Sequence, residues 1–114
     1  MASVRLFVYG SLKRNGRHHD ELAGAQFLGE AETEPGYVLT ELGEYWGLLA
    51  EPASPSVVQG ELFEVSDERL PALDDFEGEA YERSRLQVRL GPSQTRAAHS
   101  RGFLEALAYF AKAR

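Results

Sequence analysis

Glu77 is the residue whose surroundings in the sequence look most chemical. It follows Phe76, precedes Gly78 and stands where a helix should end. A carboxylate held against an aromatic ring and partly withdrawn from water has its pKa raised, toward the range in which it can take and return a proton near neutral pH. The bland alternative is a solvated acid at a helix end, the ordinary fate of a glutamate. A second feature is Phe7-Val8-Tyr9-Gly10-Ser11-Leu12. Arg5 to Tyr9 is rich in strand formers and stops at a glycine followed by a small hydroxyl residue. Successive backbone N–H groups leaving a strand in this way can form a concave nest for an anion such as a carboxylate. Gly10 allows the sharp turn and a close approach, since it has no Cβ. Many strands end at glycine, so this turn gains weight only together with the segment around Glu77.

Other chemistry-bearing residues read less sharply. Asp74, Asp75, Glu79 and Glu82 cluster near Glu77 and suggest oxygen ligands for a hard cation. Their spacing does not match the roughly twelve-residue calcium loop, and such clusters are commonly solvated surface. His18 and His19 precede Asp20, but adjacent residues of a helix point in different directions and do not easily ligate one ion; His99 lies far along the chain. They read as surface or helix-packing residues. Ser11 lacks the G-x-S-x-G elbow of a nucleophile and has no histidine clearly placed as its base, so hydrogen bonding is its expected role. Tyr9, Tyr37, Tyr45, Trp46 and Tyr81 read as core or barrel-rim aromatics, whose hydroxyls can point into a pocket.

The elements that must position these groups follow from local pattern. After the first strand comes a polar turn, Lys13-Arg14-Asn15-Gly16, then a short helix from His18 to Ala23 closed by Gly24. Strands are expected over Gln26–Thr33, Tyr37–Leu39, Tyr45–Ala50 and Val57–Val65, with turn material around Gly43 and a loop over Glu51–Ser56. Gly60 inside a strand signals a bulge or a close backbone approach. Ser66-Asp67-Glu68 opens a second helix with a capping hydroxyl and two acids suited to the dipole. Leu70, Leu73 and Phe76 recur at helical spacing, while Pro71 should separate the first turn from the rest. Arg83–Leu90 alternates, with Leu86, Val88 and Leu90 on one face. Phe103–Ala111 favours a helix by propensity. Its odd positions, Phe103 to Ala111, also fit a strand paired with Arg83–Leu90 across the loop Gly91–Gly102, and the strand is the reading adopted. The fold class is therefore α+β, a small, mostly antiparallel β-barrel or strongly curled sheet with two short helices.

Composition bounds the function. The 114 residues read as one domain, 1–114, able to build one hydrophobic core. A formal charge of -6, with scattered basic residues, argues against a nucleic-acid partner. The absence of cysteine excludes disulfides, a thiol nucleophile and zinc-thiolate sites. No apolar run approaches the eighteen or so residues of a membrane span, and no signal peptide is evident, so a soluble cytoplasmic domain is expected. No heptad stretch marks an oligomer interface.

Taken together, Val8-Tyr9-Gly10-Ser11-Leu12 with Lys13-Arg14, then Gly60-Glu61-Leu62-Phe63-Glu64-Val65, then Leu73-Asp74-Asp75-Phe76-Glu77-Gly78 and Tyr81-Glu82-Arg83, resemble the γ-glutamylcyclotransferase-like family, in its γ-glutamylamine cyclotransferase and AIG2-like branch. The resemblance runs from Arg5 to about Leu90, and Phe103–Ala111 resembles the closing strand. It implies a barrel flanked by two helices with a pocket at its mouth. It also implies intramolecular aminolysis of a γ-glutamyl compound to 5-oxoproline and a free amine, without cofactor or metal. By the same resemblance Tyr9, Gly10, Ser11 and Leu12 bind the glutamyl end, Glu77 is the acid/base and Tyr81 is a pocket residue. One departure stands out: Tyr45-Trp46-Gly47 replaces the Tyr-Pro-Gly common in the family, so Trp46 reshapes the pocket wall. The competing reading is a non-catalytic module that holds a carboxylate metabolite on the same barrel; another is a different amide-cleaving enzyme on this scaffold.

Overall fold

The computed structural model describes residues 2–41, 46–91 and 102–112. Tyr45, the turn at Gly43, and His99 with the interior of the Gly91–Gly102 loop lie outside the described residues. The strands are β1 (Ser3–Val8), β2 (Gln26–Thr33), β3 (Tyr37–Glu41), β4 (Trp46–Ala50), β5 (Gln59–Ser66), β6 (Tyr81–Leu90) and β7 (Leu104–Ala111), and α1 spans Leu70–Glu77. They form one seven-stranded sheet in the order β1-β5-β2-β6-β7-β4-β3. A further β1–β7 contact, parallel at Leu6↔Leu107, brings five strands into a partly closed, barrel-like ring. β4 joins the same edge of β7 further along, parallel at Leu48↔Phe110, so β1 and β4 share that edge and diverge from each other. The remaining pairings are antiparallel.

Burial on two sides explains the sequence of β1. Phe7 points into a cluster with Leu48, Leu62, Leu86, Val88, Ala106 and Ala108 inside the ring. Leu6 and Val8 point outward into a second cluster with Leu12, Leu22, Phe63 and Leu73, roofed by α1. The second half of β1, Leu6–Val8, is therefore a continuous apolar run rather than an alternating one. Leu73 is fully buried and anchors α1 to the ring, a burial contributing about 2–3 kcal/mol.

The second expected helix forms as the local signals dictate. Ser66 accepts a hydrogen bond from the Glu68 N–H, a 3-10 turn occupies Asp67–Arg69, and the α-helix proper begins beside Pro71. It ends at Gly78, whose φ of 79° is left-handed. The first expected helix is corrected. His18–Ala23 is a single 3-10 turn over His19–Leu22, so among the described residues the ring carries one α-helix, not two. His18 makes no side-chain cap, and Ala23 and Gly24 both turn left-handed (φ 53° and 79°), leaving too few residues to repay helix nucleation.

The strand reading of the last segment holds: β7 pairs antiparallel with β6 from Tyr81↔Ala111 to Val88↔Leu104. Phe103 itself precedes the strand and is 42% exposed. Ala106 and Ala108 fill the ring while Leu107 and Tyr109 pack on the helix side, so both faces are buried and no alternation survives. Gly60 is a site of close approach; the register shift lies in β2 instead, between Phe27 and Gly29. Among the described residues no helix is long and apolar enough to cross a membrane.

Candidate active site

The turn that leaves β1 is tied down from several directions. Lys13 N–H donates to the Gly10 carbonyl (3.1 Å), Gly16 N–H to Lys13 O (2.7 Å) and His18 N–H to Ser11 O (2.9 Å). Gly16 is required for this packing, because a Cβ there would run into the Ser11 carbonyl oxygen and stand 2.7 Å from that of Lys13. Arg14 fastens the turn to the ring: its N–H donates to Glu61 Oε1 (2.8 Å) and its guanidinium lies 3.6 Å from the centre of the Phe27 ring. Across from the turn, α1 delivers Glu77 at its last residue. The Gly78 N–H closes on Asp74 O (3.0 Å), and the chain then bends into β6 at Tyr81.

These two structures face one cavity of about 190 Å³. Tyr9, Gly10, Ser11, Leu12, Glu77 and Tyr81, the six residues singled out in the sequence, all line it, together with Trp46 and Tyr109. Trp46 is half exposed at the rim, and the Tyr81 hydroxyl donates to its backbone oxygen (2.8 Å). No lysine or arginine is among the described lining residues, so a bound carboxylate there would rely on backbone N–H and hydroxyl donors.

Burial alone pushes the Glu77 carboxyl from its ordinary value up to about 7. The Tyr9 hydroxyl is also pushed up, first by burial, and stays protonated. It sits in the fork where β1 and β4 diverge along β7, donating to Tyr109 O (2.6 Å) and accepting from the Leu48 N–H (3.3 Å). Tyr9→Phe is expected to leave both backbone groups unpaired and cost about 1–3 kcal/mol. Denaturant melts of the variant would check this; an unchanged midpoint would mean that water replaces the hydroxyl without loss.

Two features escaped the sequence reading. Tyr109 lines the cavity from β7, its hydroxyl donating to Asp74 Oδ1 (2.7 Å), while Asp74 also pairs with Arg83 (3.5 Å). Burial and the neighbouring Asp74 push the Tyr109 hydroxyl up. Asp74 is thus occupied by protein partners, and among the described residues no group of three or more acidic or histidine side chains is gathered as a metal site. The histidines are the second feature. Contrary to the sequence expectation, His18 is placed beside Ser11, with Nδ1 3.0 Å from Oγ, and His19 Nδ1 lies 2.8 Å from Leu12 O. Both rings turn in toward the turn that follows β1. Nothing local in the sequence announces either contact.

A family model described as gamma-glutamyl cyclotransferase, AIG2-like, matches residues 6–114. The chain belongs to the gamma-glutamyl cyclotransferase, AIG2-like family. The AIG2-like match runs through β1, the turn after it, α1 and β7, and so takes in every wall of the cavity. Rat gamma-glutamylaminecyclotransferase is 41% identical over 97 residues, which are 76% of this chain and 64% of the rat protein. The human protein of that name is 38% identical over 95 residues, 75% of this chain and 61% of its own. The chain thus spans less than two thirds of the length of these relatives. The crystal structure of a mouse AIG2-like protein superposes with a TM-score of 0.78 at 28% identity, covering 96% of this chain and 78% of the mouse chain.

Proposed function

We propose that this chain, as one catalytic domain over 1–114, converts a γ-glutamyl amine or γ-glutamyl amino acid to 5-oxoproline and a free amine. The observation that carries the reading is the pairing, in one small cavity with no lysine or arginine among its described lining residues, of a partly buried carboxyl with a pKa of about 7 and a tied-down backbone turn. Family membership supports the reaction class, and the names of the rat and human relatives put γ-glutamyl amines first among the substrates to try. The cytoplasm is the expected setting, from the cysteine-free sequence without a long apolar run.

The chemistry is a ring closure. The N–H groups of Gly10, Ser11 and Leu12 hold the substrate's α-carboxylate, which folds the glutamyl chain so that its α-nitrogen meets its γ-carbonyl. Such positioning removes several kcal/mol of barrier. Glu77, ionised, takes a proton from the α-ammonium. The freed nitrogen pair attacks the γ-carbonyl carbon and forms the five-membered ring. As the bond from that carbon to the leaving nitrogen breaks, Glu77 gives its proton to that nitrogen. It then takes the second proton from the ring nitrogen and passes it to the released amine, which departs as an ammonium and leaves Glu77 a carboxylate again. A carboxyl titrating near 7 is suited to both transfers.

The test is 5-oxoproline release, followed by mass spectrometry, from γ-glutamyl alkylamines, γ-glutamyl-ε-lysine, γ-glutamyl amino acids and glutathione. Release is expected from at least one of these, and the preferred substrate names the leaving amine. Silence across the panel, with 5-oxoproline still bound in the cavity, would turn the reading into that of a carboxylate-binding module.

A further inference from the structure

The Ser11 hydroxyl, on the turn whose N–H groups are assigned above to the substrate's carboxylate, already has a partner. His18 Nδ1 lies 3.0 Å from Ser11 Oγ, and the His18 N–H donates to the Ser11 carbonyl (2.9 Å), so this histidine grips Ser11 through both side chain and main chain. Its ring also meets Phe76 edge to face, with centroids 4.9 Å apart, and Phe76 is the residue before Glu77. His18 is therefore wedged between the anion-holding turn and the end of α1.

The direction of the proton in this pair decides what Ser11 can do. A hydroxyl has one hydrogen to give and a carboxylate can only accept. If His18 Nδ1 is bare, Ser11 donates to it and turns lone pairs toward the cavity, where a carboxylate would be repelled. If Nδ1 carries the hydrogen, His18 donates to Oγ and the Ser11 proton is released toward the ligand. For the neighbouring His19 the partner alone decides the tautomer. Its Nδ1 is 2.8 Å from the Leu12 carbonyl, an acceptor only, so that nitrogen must be the protonated one.

We propose that His18 is a positioning residue, holding its proton on Nδ1 and so turning the Ser11 hydroxyl toward the carboxylate of the substrate. The assignment rests on the function proposed above, in which Ser11 binds that carboxylate. Two adjacent histidines then form a pair of Nδ1–H donors beneath the turn, one fixing its main chain and the other orienting its hydroxyl.

Two readouts test this. In kinetics, His18→Leu is expected to raise KM for the best γ-glutamyl substrate about tenfold with kcat changed much less, the signature of lost binding at a group remote from bond breaking. His18→Asn, whose amide N–H₂ can donate to Ser11, should recover most of that loss. In long-range ¹H–¹⁵N spectra of the wild type saturated with 5-oxoproline, at a pH where the imidazoles are neutral, His18 should carry its hydrogen on Nδ1, with His19 as internal reference. Turnover by the wild type with the same KM in His18→Leu, or a bare His18 Nδ1 in the liganded protein, would overturn the assignment alone. A wild type that releases no 5-oxoproline from any substrate would overturn the functional reading and this assignment with it. The spectroscopic arm uses unaltered protein and stands even if the leucine variant fails to fold.

Discussion

Glutamine in place of Glu77 is expected to lower 5-oxoproline release by about a thousandfold or more while making the fold more stable above pH 7. General acid–base catalysis by one positioned group contributes roughly 10²–10⁴ in rate, and here one carboxyl serves twice. The stability gain follows from the same burial. The folded carboxyl titrates near 7, above its ordinary 4.5, so protonation favours the folded state. That contribution is present in full below about pH 4.5 and is lost as pH rises through 7, where the charge must sit in a poorly solvated place. The shift taken at face value corresponds to about 3 kcal/mol, and partial exposure of the group reduces this to roughly 2 kcal/mol. Thermal melts at pH 4, 6 and 8 should show Glu77→Gln level with wild type at pH 4 and higher at pH 8. Wild-type kcat/KM should rise with pH through about 7 as the base form accumulates. A variant no more stable than wild type at pH 8 would mean that Glu77 is an ordinary solvated acid.

Gly60→Ala should be strongly destabilising. A Cβ at Gly60 would collide with the Val8 carbonyl oxygen and approach the Phe7 ring at 2.6 Å. Neither neighbour can yield cheaply, since Val8 is backbone paired with β5 and Phe7 is fully buried in the ring. Overpacking of this kind costs about 3 kcal/mol, a fall in melting temperature of roughly 10 °C or more for a chain this size. The strain falls on the last two residues of β1, directly before Tyr9-Gly10-Ser11-Leu12. Turnover at low temperature, where the variant remains folded, should therefore also drop. A variant with wild-type melting would show that β1 and β5 part without penalty at this point.

What the sequence made legible was whatever depends on near neighbours. Ser66 as a cap, Pro71 dividing a 3-10 turn from α1, Gly78 as the stop and the alternation of Arg83–Leu90 are each decided within a few residues, and each is found. The gathering of Tyr9, Gly10, Ser11, Leu12, Glu77 and Tyr81 at one cavity was legible for a different reason: each lies in a short motif that resembles a known family's. What could not be read depends on partners distant in the chain. Tyr109 reaches Asp74 only because β7 registers Tyr109 against Arg83. The position of His18 depends on a segment whose helical signals are too weak to outlast one 3-10 turn. β7 itself hid its period because Ala106 and Leu107 are drawn to opposite sides of the sheet.

The sharing of one edge of β7 by β1 and β4 also sets the order of events in folding. Tyr9 and Tyr109, which meet at that fork, are 100 residues apart in the chain. The loop closed by their encounter is nearly as long as the protein, so the search for it is slow and its reward comes late. Hairpins such as β3–β4 can assemble early and locally, but the cavity has no floor until β7 arrives between its neighbours. Activity on refolding should therefore appear in step with the slowest structural phase, with no partly folded species able to hold a substrate.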